Sequence, residues 1–324
     1  MLKVFKNHNP YIVILLFLSA IIFKFKYLAI DSAVAIWEQN ALFAYLGLEY
    51  VKLNSFWIKF IVFVNYLGQA LFLNHIVLKA NLFPFKSYLP AFTFLMVSTL
   101  IPEWSVLTPA LLNNWLILIA LNYLMHFHEE DRKIKRIFNA GLITGVSTLI
   151  VGSSLGMLLV FLSAIALLST WNFRETLLLI FGFLSPYYLL AAILFLQDKL
   201  DVFPLFLQFE LPNSELFYNL NLMANMPAMV FMVILLLMSL FVLNSLSIRM
   251  LMQVKNVWFL NLLAVLIFIV AGIFNLSQGF SVWLPALLVL SIIFTNIWYS
   301  SARKWILSTV FYLSIIITLL LQWF

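Results

Sequence analysis

Residues 230–243 read VFMVILLLMSLFVL, an apolar run interrupted only by Ser239. A membrane-spanning strand alternates apolar and polar residues over about ten positions, because one side meets lipid and the other the barrel interior. This run does not alternate. It lies within an apolar stretch from about 226 to 246, close to the ~20 residues a helix needs to cross the hydrocarbon core. A helix satisfies its own backbone groups in lipid, so the stretch is read as a membrane-spanning helix.

Working outward, similar runs recur near 10–28, 55–78, 87–101, 108–125, 136–151, 154–170, 176–196, 257–275, 282–299 and 305–323. Together they predict an all-α polytopic protein of about eleven spans, with a range of nine to twelve. The runs 87–101 and 136–151 are short, as expected of segments that are tilted, half-inserted or buried by neighbours. Composition agrees: 65% of the 324 residues are hydrophobic and 9% are charged. Soluble domains carry about 45–50% apolar and about 25% charged residues, and no soluble fold could bury the excess. With no repeat, heptad or low-complexity tract, residues 1–324 are read as a single integral membrane domain.

Loop charge predicts the orientation. With a cytoplasmic N-terminus, the inner loops hold Lys3, Lys6, Lys79, Lys86, Arg132, Lys133, Lys135, Arg136, Arg174, Arg249, Lys255, Arg303 and Lys304. The outer loops hold only Lys24, Lys26, Lys52 and Lys199. This bias follows the positive-inside rule. It accounts for the net charge of +6 without a nucleic-acid partner. The first segment resembles a signal peptide, but Lys24 and Lys26 interrupt the run toward Ala33-Val34-Ala35, so it is read as a retained helix. Two longer outer loops, about 27–55 and 198–222, mix acids with aromatics as interfacial segments do.

Chemistry-bearing residues are few. The absence of cysteine excludes disulfides, Cys-bound zinc and a thiol nucleophile. His126, His128, Glu129, Glu130 and Asp131 fit no helical zinc spacing and precede a basic run, as in a solvated loop. Within the spans, Asn65 and Gln69 are four apart and share a helix face. With Asn113 they would line a polar cavity if spans 2 and 4 turned them together; otherwise they hydrogen-bond helix to helix. No acidic residue lies in the middle of a span, which argues against proton coupling. Gly141 and Gly145 predict close helix packing, and Gly152-Ser153-Ser154 a tight turn.

On the outer side, Asp31 follows the first span in LAIDSAVAIWEQN, and Glu103 lies in IPEWSVLTPALLNNW. Thr108 followed by Pro109 reads as an N-cap with proline at the first helical position. Two carboxylates at helix ends on one side of a membrane can supply a base and a substrate or metal ligand. Lys24 and Lys26 can neutralise a lipid phosphate. All four also fit ordinary interfacial charges.

The order of these features resembles the membrane core of C-type polytopic glycosyltransferases over residues 1–200. It rests on Asp31 in the first outer loop, the proline-containing IPEWSVLTPALLNNWLILIAL, and RKIKRIFNAGLITGVSTLIVGSSLGMLLVFL after a basic loop. Where that family carries an Asp-Glu pair, this chain has Asp31-Ser32, and residues 201–324 supply further helices. The chain is also similar to short polytopic inner-membrane proteins of Bacteroidota. The resemblance implies a polyprenyl-phosphate-linked sugar as donor, Asp31 as base or positioning group, Glu103 as ligand for a divalent metal or the donor phosphate, and Lys24 and Lys26 on that phosphate. Asn65, Gln69 and Asn113 complete the expected binding residues. Two other functions stay open: a non-catalytic scaffold or subunit of an envelope assembly or export complex, and a lipid or small-molecule transporter. Membrane lipids, and membrane proteins in the scaffold case, are the expected partners.

Overall fold

The computed structural model describes residues 2–6, 9, 11–29, 41–45, 54–127, 133–168, 173–206, 222–247, 250–275, 279–299 and 304–322. Asp31, His128, Glu129, Glu130 and Asp131 lie outside them. The described chain is helical: α1 Leu2–Phe5, α2 Ile12–Phe23, α3 Phe25–Ala29, α4 Ala41–Tyr45, α5 Ser55–Lys79, α6 Leu89–Val97 and α7 Pro109–Met125. Then follow α8 Lys133–Ile150, α9 Leu155–Leu168, α10 Phe173–Leu196, α11 Leu222–Ser247, α12 Met252–Ile273, α13 Leu284–Tyr299 and α14 Lys304–Leu321.

Among the described residues, five segments are long and apolar enough to cross a membrane: Ser55–Lys79, Phe173–Leu196, Asn225–Ser247, Met252–Ile273 and Phe280–Tyr299. The other apolar runs are also helical but shorter. The expected span 10–28 breaks at Lys24 into α2 and α3. The expected span 87–101 contains only nine helical residues, about 14 Å of rise, too short to cross as a helix.

That short helix lies at the centre. Every residue of α6 is buried, and so is every residue of α13 except Leu290. The two run antiparallel. Tyr299, at the end of α13, stacks on Phe83 with ring centroids 4.5 Å apart, and Trp298 Nε1 donates to Thr93 Oγ1 at 3.1 Å. At the opposite end, Trp104 Nε1 donates to the carbonyl of Phe280 at 2.8 Å. Phe92 anchors the surrounding helices to α6: Phe5, Phe23 and Phe311 lie 4.6, 5.5 and 5.1 Å from it, centroid to centroid. Ser239 of α11 donates to the carbonyl of Ile293 at 2.8 Å, tying α11 to α13. Burial separates centre from rim: 83% of the Phe280–Tyr299 window is buried, against 28% for the α10 and α11 windows. On those outer helices Phe195, Leu196 and Phe241 are exposed, as lipid-facing side chains are.

The most extensive helix pair is α8 with α10. Its closeness depends on three glycines. A Cβ at Gly141 would strike the carbonyl of Leu179, one at Gly145 that of Phe183, and one at Gly182 that of Phe138. Small residues let two backbones meet in this way, and van der Waals contact then supplies the attraction that hydrophobic exclusion cannot supply in lipid. The spacing of Gly141 and Gly145 predicts this contact; their partner Gly182, in α10, carries no such spacing signal. Lys133 and Glu175 join the first turns of the two helices at 2.7 Å.

Gly182→Ala must push α8 away from α10, because the obstacle is backbone, and is expected to cost about 1–3 kcal/mol. Gly156→Ala meets only the side chains of Ile267, Phe268 and Ala271, at 3.1–3.4 Å, and should cost less. Thermal unfolding of the two variants in detergent checks the order.

Candidate functional site

A helix that starts inside a protein brings amide groups with no partner in its own backbone. Three helices of this bundle start at one end of it: α7 after the 3-10 turn Pro102–Ser105, α9 after the 3-10 turn Gly152–Ser154, and α13 after the 3-10 turn Phe280–Trp283. The three turns meet there, and side chains supply the missing partners. Thr108 Oγ1 accepts from the amide of Leu111 at 3.3 Å, with Pro109 at the first helical position, as the Thr-Pro pair predicts. Glu103 Oε2 accepts from the amide of Phe280 at 2.9 Å. Ser153 Oγ donates to the carbonyl of Val282 at 2.9 Å, joining the second turn to the third. Gly279 makes room for the Glu103 contact: its φ is 75°, and a Cβ there would lie 3.3 Å from Glu103 Oε2. Both the left-handed backbone and the nearby carboxylate favour glycine.

Lys24 reaches the other side of the Pro102–Ser105 turn. Its Nζ donates to the carbonyl of Ser98 at 2.9 Å and to Ser105 Oγ at 3.0 Å, and lies 3.8 Å from the centre of the Tyr66 ring. The Tyr66 hydroxyl in turn donates to the carbonyl of Trp104. Lys24 is only 2% exposed, so its ammonium group faces the protein interior. Lys26 donates to the carbonyl of Gln322, and the Gln322 amide to that of Phe23, fastening the end of α14 to α2 and α3.

The three amide residues divide. Asn65 accepts from Trp115 Nε1 at 2.8 Å, and Gln69 donates to the carbonyl of Leu111 at 2.7 Å, so both face α7 as their spacing predicts. Asn113 turns to α8 and the second turn instead, donating to Ser154 Oγ at 2.7 Å and accepting from Ser147 Oγ at 2.8 Å. The polar cavity expected between the second and fourth spans requires all three to face one another, and Asn113 does not join the other two.

The structure therefore brings Glu103 and Lys24 onto one four-residue turn, places Lys26 at the α14 end, and puts Asn65 and Gln69 on the α5–α7 contact. Asp31, the other acidic candidate, is outside the described residues. Among those residues no three His, Asp or Glu side chains converge on a point that could hold a metal. The expectation from sequence missed Ser98, Ser105, Tyr66 and Trp104, which build the corner. Gly279, placed just before a helix, carries a local signal of it, as do Thr108-Pro109 and Gly152-Ser153-Ser154.

Among the described residues, two apolar grooves lie on the flanks of the bundle. One, of about 520 Å³, lies between α9 and α12 and is lined by Gly156, Leu159, Leu266, Val270 and Phe274. Another, of about 210 Å³, lies among α11, α12 and α13 and includes Met229, Met232, Ile269 and Trp283. Both are almost wholly apolar. The chain matches no protein-family model, no curated protein and no solved structure.

If Glu103 serves as a cap, its charge is less important than its acceptor. Glu103→Gln keeps an oxygen for the Phe280 amide and should unfold near the wild-type temperature. Glu103→Ala leaves that amide unpaired and should lose about 0.5–2 kcal/mol. Thermal melts of the two variants in the same detergent separate these outcomes.

Proposed function

We propose that this protein is a non-catalytic membrane scaffold, a subunit around which an envelope-assembly or export complex is built. The observation that carries this reading is the fate of its polar side chains. Lys24, Glu103, Gln69 and Asn113, which an enzyme or carrier would turn toward a substrate, all hold helix ends and neighbouring helices together. The two flank grooves are apolar and suit lipid chains or apolar helices, not sugars or ions.

The proposed setting is the inner membrane, with eleven spans and a cytoplasmic N-terminus. Contacts between helix ends support this alternation. Phe83 meets Trp258 and Tyr299, the Tyr88 amide donates to the carbonyl of Phe5, and Lys133 pairs with Glu175. Every one of these residues falls at an inner end in the charge-based assignment. Lys24 with Ser105, Glu103 with Phe280, Ser153 with Val282, and Lys26 with Gln322 all join outer ends. No cross-pairing of an inner with an outer end occurs among these contacts.

The glycosyltransferase-like reading is favoured by one observation: Lys24 and Glu103 sit on the same outer turn, where a polyprenyl-phosphate donor would approach. In that reading Asp31 meets them there and acts on an acceptor. Replacement in a strain with a deletion phenotype separates the two. The scaffold reading expects Asp31→Asn and Glu103→Gln both to complement fully. Loss of complementation by either, at normal protein level in the membrane, would establish a catalytic carboxylate instead.

The absence of cysteine makes topology directly testable. Single cysteines at Asp131 and at Asp201 should react with an impermeant maleimide from opposite sides, Asp201→Cys in intact spheroplasts and Asp131→Cys only after lysis. Labelling of both from the same side would remove the eleven-span alternation.

A further inference from the structure

At the end of the bundle opposite the three turns, a cleft of about 410 Å³ lies between the last two turns of α5, the start of α2 and the loop that returns to α6. The α5 wall is a single stripe: Leu71, Asn74, His75 and Lys79 follow the i, i+3, i+4, i+8 spacing of one helix face. Val13 of α2 faces it, and Lys86 comes from the loop. His75, Lys79 and Lys86 are exposed, whereas Asn74 is 2% exposed and its Oδ1 has no hydrogen-bond partner. Lys6 adds a further cation beside the loop, 5.9 Å from the centre of the Phe85 ring. The segments that line the cleft carry no carboxylate: no Asp or Glu occurs in residues 1–30 or 51–102.

We propose that this cleft is a headgroup site for an anionic glycerophospholipid, with Lys79 and Lys86 on the phosphate, His75 at the rim, and Val13 and Leu71 against the first carbons of an acyl chain. Three features of the cleft match three parts of such a molecule. Two exposed ammonium groups, with no ion pair among the described residues, match the phosphate. The apolar lining residues Val13, Leu71 and Leu78 match the acyl chain, which a free phosphate lacks. The unpaired acceptor of Asn74 matches a hydroxyl donor, which a glycerol headgroup carries and a choline headgroup does not. Basic pockets between helices at the cytoplasmic surface bind anionic headgroups by this combination of charge and partial burial. The site lies at the end that the loop charges assign to the cytoplasm, yet it does not depend on the scaffold reading, because an enzyme or a carrier with the same cleft would bind the same lipid.

The test uses the full-length protein in a neutral detergent. Phosphatidylglycerol and phosphatidylcholine are added separately, and retention is read by native mass spectrometry together with the shift in melting temperature. The wild type should retain phosphatidylglycerol and be stabilised by it more than by phosphatidylcholine. The Lys79→Gln/Lys86→Gln double variant should bind it roughly 10- to 30-fold more weakly. A second double variant, Lys199→Gln/Lys255→Gln, removes two exposed lysines elsewhere and should bind as the wild type does. Equal binding of the two lipids by the wild type would overturn the proposal. So would unchanged binding by the cleft variant, or an equal loss in the control variant. Inorganic phosphate at millimolar concentration is the last arm: stabilisation by phosphate alone, matching that by the lipid, would make this a free-anion site and overturn the lipid assignment. Asn74→Leu, which preserves the lysines, should reduce the preference for glycerol over methylated-glycerol headgroups without abolishing binding, and an unchanged preference would remove Asn74 from the site.

Discussion

Backbone groups that lose their helical partners must find others wherever water cannot reach them, and this requirement organises the bundle. Inside an uninterrupted helix the ladder satisfies each amide and carbonyl. This chain interrupts its helices repeatedly: α2 stops at Lys24, α6 ends after nine residues, and α7, α9 and α13 each begin behind a short turn. Each break exposes groups that are costly to bury unpaired. The side chains that answer them come from far along the sequence. Glu103 serves the amide of Phe280, Lys24 the carbonyl of Ser98, and Ser153 the carbonyl of Val282. These polar side chains therefore sit at helix ends and helix contacts, where they also fix which ends can meet.

Packing works within that frame. α6 is wrapped so completely that its side chains meet only protein, and the aromatic contacts of Phe92 with Phe5, Phe23 and Phe311 show how one short helix locates three neighbours. Farther out, α8 and α10 approach through Gly141, Gly145 and Gly182 until each backbone limits the other. These two modes suit different positions. Aromatic rings fill the wide spaces around a central helix, whereas glycine is needed where two helices on the rim have only their surfaces to share.

The separation between what was legible in the sequence and what was not follows the range of each interaction. Helix positions are local: an apolar run such as 230–243 lies inside α11 because the same neighbours that make it apolar also make it a helix. The Thr108-Pro109 cap is local too, and it is found as expected. The run 87–101, expected to be tilted, half-inserted or buried by neighbours, is buried by neighbours for a physical reason. Apolarity measures burial, and a segment buried by protein needs neither the length nor the continuous helix that lipid demands, so α6 can stop at Val97 while the chain remains buried through Ile101. The corner contacts were illegible because they join residues 81 and 177 positions apart, and no periodicity records a hydrogen bond between Lys24 and Ser105 or between Glu103 and Phe280. Gln69 and Asn113 could be chosen as polar residues within spans, but the rotation that sends one to α7 and the other to α8 is a property of the packed helices.

The signs of the two charges at the corner have their own logic. A helix carries partial positive charge at its N-terminus and partial negative charge at its C-terminus. Glu103 lies at the amide end of the Phe280–Trp283 turn, which continues into α13, and Lys24 lies at the carbonyl end of α6, bonded to Ser98 just past its last residue. Each charge thus has the sign that its helix end favours. Exchanging the two would put a cation against amide donors and an anion against carbonyl acceptors, with neither able to form its present hydrogen bond. A ligand is not needed to explain why an acid and a base occur on one turn in so apolar a chain. Two helices that run antiparallel through the centre present opposite poles at the same end of the bundle, and a single turn between them requires one charge of each sign.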